Sequence, residues 1–90
     1  MVTEARASPL RFPCGFPVKI MGQRQSSFAQ EILEIVLRHA PDFDASTTEM
    51  RSSSQGRYIS LTCTVTAHSR EQLDALYLEL SKHPAVVMVL

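Results

Sequence analysis

The chain has no tryptophan and no asparagine, and it holds only two cysteines and three glycines in ninety residues. Cys14 and Cys63 stand far apart, with neither the spacing of a metal site nor a CxxC pair, so zinc ribbons and dithiol redox chemistry are excluded. One sign of charge never dominates: nine Lys and Arg balance nine Asp and Glu. That balance removes the long-range field by which a polyanion is usually attracted, and no nucleic-acid partner is expected. No apolar run approaches the length needed to cross a bilayer, and Met1 to Leu10 lack the apolar centre of a secretory signal. The expectation is a cytoplasmic protein with no membrane partner, and two unpaired thiols agree with a reducing compartment.

What is present reads as one small globular domain. Hydrophobic residues make up 44% of the chain and charged ones 20%, a composition suited to burying a core. Residues 1–11 show no periodicity and are expected to form a flexible tail, leaving 12–90 as the domain. Phe16 to Met21 alternate as a short strand, with Phe16, Val18 and Ile20 on one side and Lys19 and Met21 on the other. Ser27 with Gln30 fits a capping box. A helix then follows on the spacing Phe28, Ile32, Ile35, Val36 and His39, and Pro41 ends it. Asp42 to Thr47 is a polar loop and Thr48 to Ser53 a weakly patterned strand. Ser54-Gln55-Gly56 signals a hairpin turn. The clearest strand comes next: Ile59, Leu61, Cys63, Val65 and Ala67 face one way, Tyr58, Ser60, Thr62, Thr64 and Thr66 the other. Ser69 and Gln72 repeat the capping signal before a helix with Leu73, Leu76, Tyr77 and Leu80 on one stripe. Ala85 to Leu90 form a last strand, apolar on both sides.

This order, βαββαβ, predicts a ferredoxin-like α+β two-layer sandwich. Its sheet is four-stranded and antiparallel, both helices cover one face, and the first and third strands are central. Placing Val86, Met88 and Leu90 towards the core leaves Val87 and Val89 outward, beside Met21 and near Tyr58 at the start of the third strand. That apolar edge needs cover. The cover is either the Phe12 to Phe16 segment or another chain, a second copy included.

Constellations of catalytic type are absent. An RNA-recognition surface would carry aromatics on its central strands, but Arg57 to Val65 lacks that pattern. His39, His68 and His83 sit at different element ends, so no metal or cofactor site is expected. The serines cluster at caps and turns, where backbone hydrogen bonding accounts for them. One chemical alternative remains at the turn after the first strand. Gly22 and Arg24 precede a helix N-terminus, which can hold an anion, so an anion-recognising sensor or an acylphosphatase-like enzyme is the competing reading. The latter chemistry uses an asparagine to position water, and the chain has none.

Several segments are similar to a known family. Phe12-Pro13, Phe16, Lys19 and Met21-Gly22-Gln23 resemble the opening of the YbeD-like family of small uncharacterised bacterial proteins. Arg38-His39-Ala40-Pro41 resembles its first-helix end, and Ser53-Ser54-Gln55-Gly56-Arg57-Tyr58-Ile59-Ser60 its hairpin. Leu76-Tyr77-Leu78-Glu79-Leu80 and Met88-Val89-Leu90 resemble its ending. The resemblance spans 12–90 and implies an ACT-like fold with no established activity. It implies a small ligand near Met21, Gly22, Gln23 and Arg24, or a protein partner met through a sheet edge; Lys19, on the open face of the first strand, is a further candidate ligand residue. The expected function is therefore a non-enzymatic regulatory or interaction domain.

Overall fold

Val18 and Ile20 are fully buried while Lys19 between them is exposed, the period-two signature of a strand covered on one face. In the computed structural model, which describes residues 11–53 and 55–90, this strand is β1, Cys14–Gln23. It is followed by α1 (Phe28–His39), a single 3₁₀ turn (Ala45–Thr47), β2 (Glu49–Ser52), β3 (Tyr58–Ala67), α2 (Arg70–Lys82) and β4 (Val86–Val89). Residues 1–10 of the expected tail, and Ser54 of the expected turn, lie outside the described residues.

The sheet runs β2-β3-β1-β4, antiparallel throughout. The two long strands are central and the two short ones are edges, as the βαββαβ order predicts. Both helices pack on one face. Phe28, Ile32 and Val36 of α1 meet Leu76 and Leu80 of α2 in the same buried cluster as Val18, Ile20, Leu61, Cys63 and Val65. Burial pushes the Cys63 thiol above its ordinary range, against the smaller pull of the neighbouring Thr48 side chain, so it is a core residue rather than a nucleophile. Phe43 is also buried, which makes the loop after α1 less polar than its flanking aspartates suggest.

The two helix starts differ. At α2, Ser69 Oγ accepts the Gln72 N–H at 3.0 Å, and Gln72 Oε1 reaches back to accept the His68 N–H at 2.6 Å, close to the expected box. At α1 the expected box is not made. Ser27 instead donates its hydroxyl to Glu31 Oε2 at 2.7 Å and caps no backbone group.

β4 corrects the sequence reading. Met88 opposes Met21 and Val86 opposes Gly22, so Val87 is an extra residue between them, a β-bulge. The bulge breaks the alternation. Val86 and Val89 pack against the core, while Val87 and Met88 are exposed. Val89, expected outward, therefore faces the helices, and Met88, expected inward, faces away.

The Phe12 to Phe16 segment does not cover that edge. Cys14 to Phe16 pair with Val65 to Ala67 at the far end of β1. Phe16 turns to the helix side, its ring edge-on to Tyr77 at 6.5 Å. Pro17 also has a structural reason. Lys19 exchanges both backbone bonds with Leu90, at 3.1 and 2.8 Å. Residue 17, two positions back, points the same way, past the β4 pairing, where a missing N–H leaves no ladder bond unmade.

Each of the three histidines bonds a carboxylate from the other βα half: His39 to Glu79 at 2.6 Å, His83 to Glu31 at 2.6 Å and His68 to Asp42 at 3.0 Å. Arg38 pairs with the same Glu79. These contacts staple the halves along the helix layer.

Candidate functional site

The turn after β1 is the first place to look for a ligand, and its chemistry is already committed. Gly22 is buried, and a Cβ there would run into the Phe28 ring and lie 2.6 Å from the Ala85 carbonyl oxygen. The glycine is required by close packing and opens no cradle. The Gln23 N–H donates to Ala85 O at 2.8 Å and the Arg24 N–H to Arg57 O at 3.0 Å. The first turn of α1 carries its own anion, Glu31, whose carboxyl is held below its ordinary range by the Ser27 hydroxyl and then by His83. That carboxylate satisfies the helix dipole and repels a second negative charge.

The open face of the sheet is different. Cross-strand pairing sets Arg51 opposite Ser60, Ser60 opposite Met21, and Met21 opposite Met88. One row therefore crosses all four strands, with a guanidinium at one end, a hydroxyl next to it and two methionines at the other. The neighbouring row runs Glu49, Thr62, Lys19 and Leu90. Where the β2–β3 hairpin closes, a cleft of about 180 Å³ opens, lined by Met21, Arg51, Ser52, Ser53, Tyr58, Ile59 and Ser60. Gly56, at φ +70°, turns the hairpin in the left-handed region that glycine adopts freely. Ser53 closes the turn by donating its N–H to Tyr58 O at 2.9 Å, while its hydroxyl accepts the Tyr58 N–H at 3.3 Å.

The structure thus brings together Met21 and Tyr58, expected separately as a ligand residue and a contact residue, in one cleft. Lys19 lies on the same face one row away. Gln23 opposes Tyr58, and the Arg24 guanidinium reaches the hairpin beside Gly56. Gly22 and Val89 belong to the core side, and Val87 stands at the β4 bulge. Arg51 and Ser60 were not expected. Their signal lay in the hairpin register: once Gly56 places the turn, counting back from Tyr58 sets Arg51 against Ser60.

A second groove, of about 270 Å³, lies between β1 and α2, lined by Phe16, Arg70, Leu73, Asp74 and Tyr77. Its one cation and one carboxylate are a helical turn apart on the same element, so it presents no net charge to a ligand. Among the described residues no group of three or more His, Cys, Asp or Glu could hold a metal ion, and no helix is long and apolar enough to cross a membrane.

Comparison with known proteins agrees with this fold and goes no further on activity. A family model described as a protein of unknown function (DUF493) matches residues 7–90. A UPF0250 protein of Nitrosomonas europaea is 55% identical over 83 residues, spanning 92% of this chain and 95% of the relative. One from Chromobacterium violaceum is 48% identical over 89 residues, spanning 99% of this chain and 100% of its own. Among solved structures, the Helicobacter pylori protein HP0495 superposes with a TM-score of 0.73 at 17% identity, covering 100% of this chain and 94% of that one. The ACT domain of GTP pyrophosphokinase from Chlorobium tepidum gives 0.65 at 15% identity, over 84% of each chain. The fold is ACT-like.

Proposed function

We propose that this chain, which belongs to the DUF493 family of proteins of unknown function, is a non-enzymatic regulatory module whose open-face cleft takes a small ligand. The observation that carries the reading is the row Arg51, Ser60, Met21 and Met88. It sets a cation and a hydroxyl beside an apolar surface in a concave place, the combination by which small molecules are oriented and desolvated. The competing turn at Gly22 to Ser27 supports anion chemistry less well, because Phe28 fills it and Glu31 faces it. The domain is taken to span 12–90 and to work in the cytoplasm, a placement supported by two free thiols.

A second reading, contact with another protein or a second copy of this chain, is favoured by Val87, Met88 and Leu90, all exposed along β4. The bulge at Val87 argues against simple strand-to-strand addition there, so such a partner would rest on the side chains. Sedimentation of the wild type and Met88→Lys tests it: a self-associated species that the lysine disperses supports a second copy.

The leading reading is tested by a thermal-shift screen with amino acids, nucleotides, acyl phosphates and small carboxylates. A ligand at 100 times its Kd adds about 2.7 kcal/mol, on the order of 10–20 °C in Tm for a chain of this size. The shift should fall to about half in Arg51→Ala, shrink in Tyr58→Ala and persist in Ser27→Ala. Turnover of any acyl phosphate or nucleotide in the screen would overturn the non-enzymatic assignment.

A further inference from the structure

We infer that the cleft selects a small monocarboxylate with an apolar body, its carboxylate at Arg51 and its chain or ring over Met21 and Tyr58. The inference rests on the cleft being the ligand site. It begins with charge. The chain is neutral as a whole, but the fold sorts its charges by layer. The strands and the turns at the hairpin end carry Lys19, Arg24, Arg51 and Arg57 against Glu49, whereas α1, α2 and the loop after α1 carry Glu31, Glu34, Asp42, Asp44, Glu71, Asp74 and Glu79 against Arg38, Arg70 and Lys82. The neutral composition conceals a basic sheet layer backed by an acidic helix layer. The described ion pairs join helix or loop residues and involve none of the four basic side chains of the sheet layer.

Three of those cations gather at one end of the sheet. Arg51 lines the cleft, Arg57 adjoins the hairpin glycine, and Arg24 is tied to Arg57 through its backbone N–H at 3.0 Å. Among the described residues only Arg51 of these cations is in the lining, which suits one anionic group. A guanidinium offers a planar fork of donors that matches a carboxylate with two parallel hydrogen bonds. The Ser60 hydroxyl, next in the row, supplies a further donor.

The rest of the lining selects for what is attached to that carboxylate. Met21 and Tyr58 give an apolar wall, and methionine adapts its shape to irregular occupants. Among the described residues no carboxylate lines the cleft; Glu49, the acidic side chain of this face, belongs to the next row. A free amino acid would therefore bring an ammonium group with no counter-charge, at the cost of desolvating it. At about 180 Å³ the cleft is smaller than the roughly 300–1,000 Å³ of most ligand pockets, which favours a small acid over a nucleotide.

The test is a titration followed by ¹H–¹⁵N correlation spectra on the full chain, with hexanoate, benzoate, hexanamide, leucine and inorganic phosphate as probes. Hexanoate and benzoate should give saturable shifts at Met21, Arg51 to Ser53 and Tyr58 to Ser60. Hexanamide, leucine and phosphate should bind at least tenfold more weakly. Arg51→Ala should weaken hexanoate about tenfold with the dispersion of the spectrum unchanged, and Arg51→Lys should recover part of the loss. Equal binding of hexanamide, leucine or phosphate at those amides would overturn the ligand class while leaving the site standing. Saturable shifts confined to residues outside the cleft, or none with any probe, would overturn the site itself.

Discussion

The ring of Phe28 occupies the space that any side chain at Gly22 would need. The aromatic opens α1 and is fully buried, while the glycine sits in the strand the helix covers, with the Ala85 carbonyl closing its other side. Gly22→Ala must therefore push the helix start away from the sheet or displace the β4 approach. Overpacking of this kind costs about 1–3 kcal/mol, and backbone on one side leaves little room to yield. The urea midpoint of Gly22→Ala should fall by a corresponding amount, whereas Gly15→Ala, which would meet only a Thr64 methyl at 3.8 Å, should stay near wild type.

The bulge at Val87 separates two neighbouring valines by consequence. Val89 packs on the core and opposes buried Ile20, so Val89→Asp should destabilise the domain by about 2 kcal/mol or more, through lost burial and a stranded charge. Val87 is 55% exposed, and Val87→Asp should change stability by less than about 0.5 kcal/mol. Chemical denaturation of both variants checks the order. The reverse order would restore the regular alternation and remove the bulge.

Acid should weaken the staples between the two βα halves. The Ser27 hydroxyl and then His83 hold the Glu31 carboxyl below its ordinary value of 4.5, and His68 holds Asp42 below 3.8. A carboxyl whose folded-state value is depressed adds stability that is fully present above the unfolded value and is lost as pH falls through the folded one. Stability should thus be flat in these groups from neutrality to about pH 5 and decline below the ordinary values of 4.5 and 3.8. Both groups are exposed, so the slope should be shallow. Denaturation midpoints between pH 7 and pH 3 read it, and Glu31→Gln should reduce the decline.

The sequence made most of the fold legible, because most of it is written in local periods. β3 alternates without a break over ten residues, and both helices show a single apolar stripe, so element order and sheet topology followed. β4 was misread for a physical reason: Val86 to Leu90 are all apolar, and a bulge in such a run leaves no mark in the pattern. The start of α1 was misread because Ser27 has two partners within reach and bonds Glu31 rather than a backbone N–H. The candidate site was half legible. Met21 and Tyr58 stood out singly, but Arg51 lies in a weakly patterned edge strand. Its place beside Met21 follows from pairing across three strands, which no local window contains.

The four methionines offer the most direct measurement. Met21 lines the cleft, Met88 is its neighbour in the same row, and Met50, opposite buried Leu61, projects from the helix side of β2. With ¹³C-labelled methionine methyl groups, a hexanoate titration should move the Met21 resonance most, Met88 less and Met50 not at all, and Arg51→Ala should shift the curve to about tenfold higher concentration. Movement of Met50 with Met21 unchanged would contradict the assignment of the open-face cleft as the ligand site.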